Sequence, residues 1–231
     1  MTERNASSAG SPRRASTAYA AHAAGGTGAH VIRAVVFDCD GVLRHWEDQN
    51  RRVAEVEAAC GLAPGTVLAM AFGPELGPLA VTGALAYDEW LGAMRERVGD
   101  VAAPAVDAFA EGIGTVDSAV LAVVRDLRAA GTTTAVLSNA TTRFEDDLAC
   151  LGLDEELDRV FNTARLGVAK PDPAVFERVA ADLGLAPADV VFVDDLDVNV
   201  EGAERAGMTA IRFSGAEDLR ARLVALRVLR G

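Results

Sequence analysis

Histidine and cysteine are scarce in this sequence, with three residues of each. Cys39, Cys60 and Cys150 are odd in number and lack metal-ligand spacing. A disulfide framework is therefore excluded, and the three read as reduced thiols of a cytoplasmic protein. Basic residues are outnumbered, 22 Lys and Arg against 34 Asp and Glu, for a formal charge of -12. A surface of that sign repels nucleic-acid backbones, so no nucleic-acid partner is expected. No apolar run approaches the ~18 residues of a membrane span. Arg13-Arg14 imitates a twin-arginine export signal, but residues 15–28 carry Ser, Thr, His22 and several Gly, too polar for its apolar segment. Aromatics make up only 5% of the chain, yet 50% is hydrophobic, which supplies a packed core and excludes general disorder.

At 231 residues the chain fits one domain, or one domain carrying a smaller insert. Residues 1–29 are rich in Ser, Ala, Gly and Thr without hydrophobic period, and read as a disordered tail. Val31-Ile32-Arg33-Ala34-Val35-Val36-Phe37 is the apolar, β-branched run of a buried parallel strand. Residues 44–115 are helical in pattern, with no further strand of that quality. Val53, Val56 and Cys60 share a face ended by Gly61, Pro64 opens the next helix, and Trp90, Leu91 and Met94 lie on another. Residues 101–113, with Pro104 early, make a last helix there.

Beyond Thr115 the pattern alternates. Helices are expected at 118–130, 141–151, 172–183, 198–206 and 216–229, with strands at 133–137, 159–162, 190–193 and 209–213. Asp172-Pro173 is a helix start and Gly184 a stop; Leu219, Leu223 and Leu226 should turn the last helix onto the sheet. These units predict an α/β fold: a Rossmann-like, doubly wound parallel sheet from residues 30–43 and 116–231, with a small helical cap inserted at 44–115.

Open parallel sheets bind ligands beyond the carboxyl ends of their strands. The first strand is followed by Asp38 and Asp40, the second by Ser138 and Asn139, the short strand region by Lys170, and the third by Asp194 and Asp195 with Asn199 beyond. Each alone is an ordinary turn or helix-capping residue. Together they suit one anionic, metal-bound substrate. Carboxylates ~5 Å apart repel by about 3 kcal/mol at an effective dielectric of ~20, which a hard divalent cation relieves. The lack of paired His or Cys ligands points away from zinc and toward Mg2+, and Mg2+ toward phosphate oxygens. Cys39, between two aspartates in an extended segment, should face away from them and serve packing.

Four ordered segments carry a family resemblance: Asp38-Cys39-Asp40-Gly41-Val42, Leu137-Ser138-Asn139-Ala140, Lys170-Pro171-Asp172-Pro173 and Val193-Asp194-Asp195-Leu196-Asp197-Val198-Asn199. In these the chain resembles the haloacid dehalogenase-like superfamily of hydrolases. It is similar within it to the branch of sugar-phosphate phosphatases and the N-terminal phosphatase domain of soluble epoxide hydrolase. The resemblance implies Asp38 as nucleophile forming an aspartyl-phosphate and Asp40 as general acid and base. It implies Ser138, the Asn139 amide and Lys170 as phosphoryl ligands. It places Mg2+ on Asp38, the Asp40 carbonyl and Asp195, with Asp194 acting directly or through water and Asn199 orienting the shell. Relatives that displace halide lack the second aspartate, so Asp40 favours a phosphatase; a phosphomutase and a catalytically silent module remain alternatives. The expected partner is a small phosphomonoester, a sugar phosphate for instance, bound by a monomer or homodimer. Arg44, His45 and Trp46, Thr82-Gly83 and Trp90 are candidates for the entrance, though Tyr87 and Trp90 at helical spacing read first as core.

Overall fold

Ala34–Phe37 form β1 at the centre of a computed structural model that describes residues 31–230; the expected tail, 1–29, lies outside the described residues. A two-residue strand β2 (Arg44–His45) leads into α1 (Glu47–Ala59), α2 (Thr66–Ala71), α3 (Gly77–Val81), α4 (Tyr87–Val98) and α5 (Ala103–Ala110). The chain returns through β3 (Thr115–Val116) to α6 (Ser118–Ala129), β4 (Thr133–Ser138), α7 (Phe144–Leu151), β5 (Arg159–Asn162) and α8 (Thr163–Leu166). It ends with α9 (Pro173–Leu183), β6 (Val190–Asp194), α10 (Asp197–Arg205), β7 (Thr209–Arg212) and α11 (Ala216–Ala225).

The sheet is five-stranded in the order β5-β4-β1-β6-β7 with every pairing parallel, as the doubly wound reading expects. Successive β1 side chains leave opposite faces. Val35 and Phe37 enter a cluster with Val124, Phe144 and Leu219, while Ala34 and Val36 enter another with Val175, Phe176 and Ala203. Both faces being covered by helices, β1 has no polar position, which is why it reads as an unbroken apolar run. The winding reverses at β1, so the crevice beyond its carboxyl end is the place where a ligand fits.

Several helix ends follow the sequence signals. The Asp117 carboxylate accepts from the backbone N of Ala119 (2.8 Å) and Val120 (3.0 Å) to cap α6. Asp172 does the same for α9 through Ala174 N at 3.0 Å, with Pro173 at the first position. Other boundaries differ from expectation. β1 starts at Ala34, not Val31, although Arg33 still bonds to Asp189 and Thr133 through its backbone. α7 starts at Phe144, because residues 141–143 close a turn with Phe144 N on Thr141 O. α11 stops at Ala225, which leaves Leu226 37% exposed while Leu219 and Leu223 are fully buried.

The helices α1–α5 build a third cluster around Val53, Trp90, Met94 and Val106. The ends of this helical insert are not helical: Arg44 pairs with Val116 and His45 with Thr115 in an antiparallel ladder too short to show a period in sequence. Glu57, fully buried on α1, accepts from Gly65 N and Val67 N at 2.6 Å each and thereby caps α2. Among the described residues no helix is long and apolar enough to cross a membrane.

Candidate active site

The strand ends bring the expected residues together. Lys170 Nζ lies 2.8 Å from Asp38 Oδ1 and 2.7 Å from Asp194 Oδ2, with the lysine side chain only 1% exposed. Cys39 N also donates to Asp38 Oδ1, at 2.7 Å. Asp194 is held from the other side by Leu196 N at 2.8 Å and by Asn199 Nδ2 at 3.0 and 3.1 Å. Asn199 is thus a buried partner of Asp194, not the surface cap its position near a helix start also allowed. Asn139 grips the backbone of Lys170 twice, accepting from its N and donating to its O, both at 2.9 Å. Its side chain therefore positions the lysine segment. Ser138 is buried as the last residue of β4.

Charge in this crevice is unbalanced. Asp38, Asp194 and Asp195 each offer an oxygen within 4.8 Å of the others. At that spacing each pair repels by about 3 kcal/mol at an effective dielectric of ~20. Burial pushes Asp38 up to about 7 against the pull of Lys170, and Asp194 adds to the rise. Asp195 is raised by burial and then by Asp194. Burial alone would lower Lys170, but Asp38 and Asp194 outweigh it and hold the amine above its usual value. One lysine facing three carboxylates, all oxygen donors, fits a divalent cation. Gly41 permits the close packing: with φ at +85° it lies against Asp195, where an added Cβ would come 2.5 Å from Oδ2. Cys39 is fully buried in the core and its thiol is pushed well up by burial, the inert packing group expected.

Asp40 sits at the border with the insert. Its Oδ1 accepts from Arg44 Nε at 2.7 Å and Trp46 Nε1 at 2.8 Å. Arg44 is buried, stacks on Trp46 at 4.6 Å and reaches Ile113 O, so it braces Asp40 from the wall of the adjoining cavity. His45 Nε2 lies 2.9 Å from Asp117 Oδ2, away from the cluster. Gly83 packs on α8, its missing Cβ pointing at Ala164 O. Trp90 is 1% exposed and donates to Ala71 O, which bears out the core reading.

Arg143, which the sequence did not single out, joins sheet and insert. It donates to Tyr87 Oη, to Ala110 O at 2.6 Å and to Gly112 O at 2.8 Å, and its guanidinium lies 4.3 Å from the Tyr87 ring centre. Only its place five residues after Ser138 hinted at the site. A second link is Thr163 Oγ1 on Val81 O at 2.6 Å. Between the two layers a cavity of about 70 Å³ reaches Asp40 and Asn139.

Comparison with known proteins agrees with this geometry. Residues 32–207 match the model of the haloacid dehalogenase-like hydrolases. A phosphatase of Mycobacterium tuberculosis is 31% identical over 193 residues, 78% of this chain and 86% of that protein. An (S)-2-haloacid dehalogenase of a Pseudomonas species is 29% identical over 110 residues, 47% of this chain and 45% of its own. The fold is similar to that of a HAD-family enzyme of Bacteroides thetaiotaomicron solved with magnesium and inorganic phosphate. That likeness has a TM-score of 0.65 at 18% identity, covering 79% of this chain and 94% of the other.

Proposed function

The chain belongs to the haloacid dehalogenase-like hydrolases, and we propose that within this family it is a magnesium-dependent phosphatase of small phosphomonoesters. The observation that carries the reading is Lys170 bonded between Asp38 and Asp194, with the Asp40 carboxylate braced beside them.

In this reading Asp38 attacks phosphorus, the bond from phosphorus to the ester oxygen breaks, and an aspartyl-phosphate forms. Asp40 gives its proton to the departing alkoxide. Because Oδ1 already accepts two N–H bonds, that proton sits on Oδ2. Asp40 then takes a proton from the water that attacks phosphorus, releasing phosphate and restoring Asp38. Lys170, Ser138 and the Asn139 amide bind phosphoryl oxygens as charge grows on them. Asp38, Asp195 and the Asp40 carbonyl would hold the cation, with Asp194 directly or through water. Bound there, magnesium would neutralise the carboxylates and polarise the phosphoryl group. Asn199 orients Asp194, and Asn139 sets the height of Lys170.

The retained Asp40 favours this chemistry over the halide displacement named for the Pseudomonas relative, since a halide leaves without a proton. The free thiols of Cys39, Cys60 and Cys150 agree with a cytoplasmic setting. The test is phosphate release from p-nitrophenyl phosphate with magnesium, lost on chelation, alongside chloride release from 2-chloropropionate. Chloride release without phosphate release under any divalent cation would overturn the reading.

A further inference from the structure

The cavity beside Asp40 is walled by six aromatic side chains, Trp46, Phe72, Tyr87, Trp90, Phe109 and Phe144. In a chain with so few aromatics that is a concentrated surface. Four of them form one cluster in the insert. Trp90 meets Phe72 and Phe109 edge-on at 5.7 Å, Tyr87 at 5.9 Å, and Phe72 meets Phe109 at 6.5 Å. A cluster serving only as core would be covered on all sides. Here Phe72 stays 52% exposed, and it lines both this cavity and a second, open groove that ends at Asn139 and Lys170.

Most polar groups in the wall are already engaged with protein. Trp46 Nε1 and Arg44 Nε hold Asp40, Trp90 Nε1 donates to Ala71 O, and Tyr87 Oη donates to Ala110 O. Arg143 spends its two terminal nitrogens on Tyr87 and the carbonyls of Ala110 and Gly112, while its Nε makes no hydrogen bond and lies in an ion pair 2.9 Å from Asp147 Oδ1. A sugar placed there would give up water at each hydroxyl and meet partners that are mostly taken. That costs on the order of tenfold in affinity for each hydroxyl buried without a partner. An apolar group loses nothing and gains the aromatic edges.

We propose that this cavity seats the organic portion of the substrate and selects phosphomonoesters of apolar alcohols over those of sugars; this rests on the phosphatase reading above. Asp40 at the cavity wall is then beside the ester oxygen it must protonate. At about 70 Å³ the cavity is smaller than the ~150 Å³ that admits benzene in an engineered core. A ring therefore extends past Phe72 toward the groove, making Phe72 a specificity-determining residue.

The experiment compares kcat/KM for benzyl phosphate and glucose 6-phosphate in the full chain with magnesium, both leaving groups being primary alkoxides. Benzyl phosphate is expected to be preferred by about tenfold or more. Phe72→Gln, at a half-exposed position that tolerates a polar side chain, should lower that ratio about fivefold. Equal or better turnover of glucose 6-phosphate, or a ratio unmoved by Phe72→Gln, overturns the inference. Phosphate release from p-nitrophenyl phosphate with neither ester accepted also overturns it and leaves the phosphatase reading standing. No release from any of the three brings down both.

Discussion

Asp38 and Trp90 are both buried anchors, but they find their neighbours differently. The partners of Asp38 come from two distant stretches of chain, Asp194 and Asp195 at the end of β6 and Lys170 in the loop between α8 and α9. Those of Trp90 come from nearby helices of one stretch. Backbone register fixes the first group: Phe37 pairs with Val136 and Val193, so residues just past those strands converge whatever side chains they carry. Packing angles between helices fix the second, and sequence does not state them. The strand ends accordingly carry costly charge that the proposed chemistry would use, whereas the insert carries apolar and capping contacts whose gain is stability and shape.

Substitutions can break that contrast. Asp38→Asn should lower kcat for p-nitrophenyl phosphate by at least ~10⁴-fold. Burial raises the carboxylate to about 7, so in metal-free protein ionising it opposes folding as pH rises from ~3.9 toward that value. Urea denaturation of the metal-free variant at neutral pH should therefore show no loss of stability; a clear loss would mean Asp38 is structural. Lys170→Met should cost about 3–5 kcal/mol in the same measurement, because it strands Asp38 and Asp194 without a counter-charge.

Smaller effects belong to the insert and its borders. Glu57→Gln weakens the carboxylate that takes Gly65 N and Val67 N, and about 2 kcal/mol of stability should go with it. Asp117→Ala removes the α6 cap at about 1 kcal/mol. Burial would raise Asp117, but bonds from His45 and the Val120 and Ala119 amides prevail and lower it. Its contribution is thus present above the unfolded carboxylate pKa of ~3.9 and disappears as pH falls through the lower folded value. Denaturation at pH 7 and near pH 2 should show the Asp117→Ala difference at the first and not the second. A difference that persists in acid would assign the stability to packing.

The legible and illegible parts divide along the same line. Asp38 and Asp194 were readable because a polar residue closing an apolar strand is a local pattern, and Lys170 through the short segment Lys170-Pro171-Asp172-Pro173. Asp172-Pro173 and Gly184 were readable because capping is local too. Trp90 was readable as core from its helical spacing. Arg143, Phe72, Phe109 and Glu57 were not, since each acts on a residue that only tertiary packing places beside it. Arg44 was readable as a neighbour of the site, which it is in the cavity wall, but not as a buried brace: its partner Asp40 is near in sequence, while its burial depends on Phe144 and Asp147 from another segment.

The links between the two layers have a mechanical meaning. The insert is fastened through the β2–β3 ladder, through Arg143 on the carbonyls of Ala110 and Gly112, and through two threonine hydroxyls, Thr163 donating to Val81 O and Thr142 accepting from Tyr87 N. Two fastenings define an axle and leave one rotation free; a third on another helix removes it. The hydroxyl of Thr163 holds α3 and that of Thr142 holds α4, so losing both, as in Thr163→Val with Thr142→Val, would return to the insert one swinging degree of freedom about the other two.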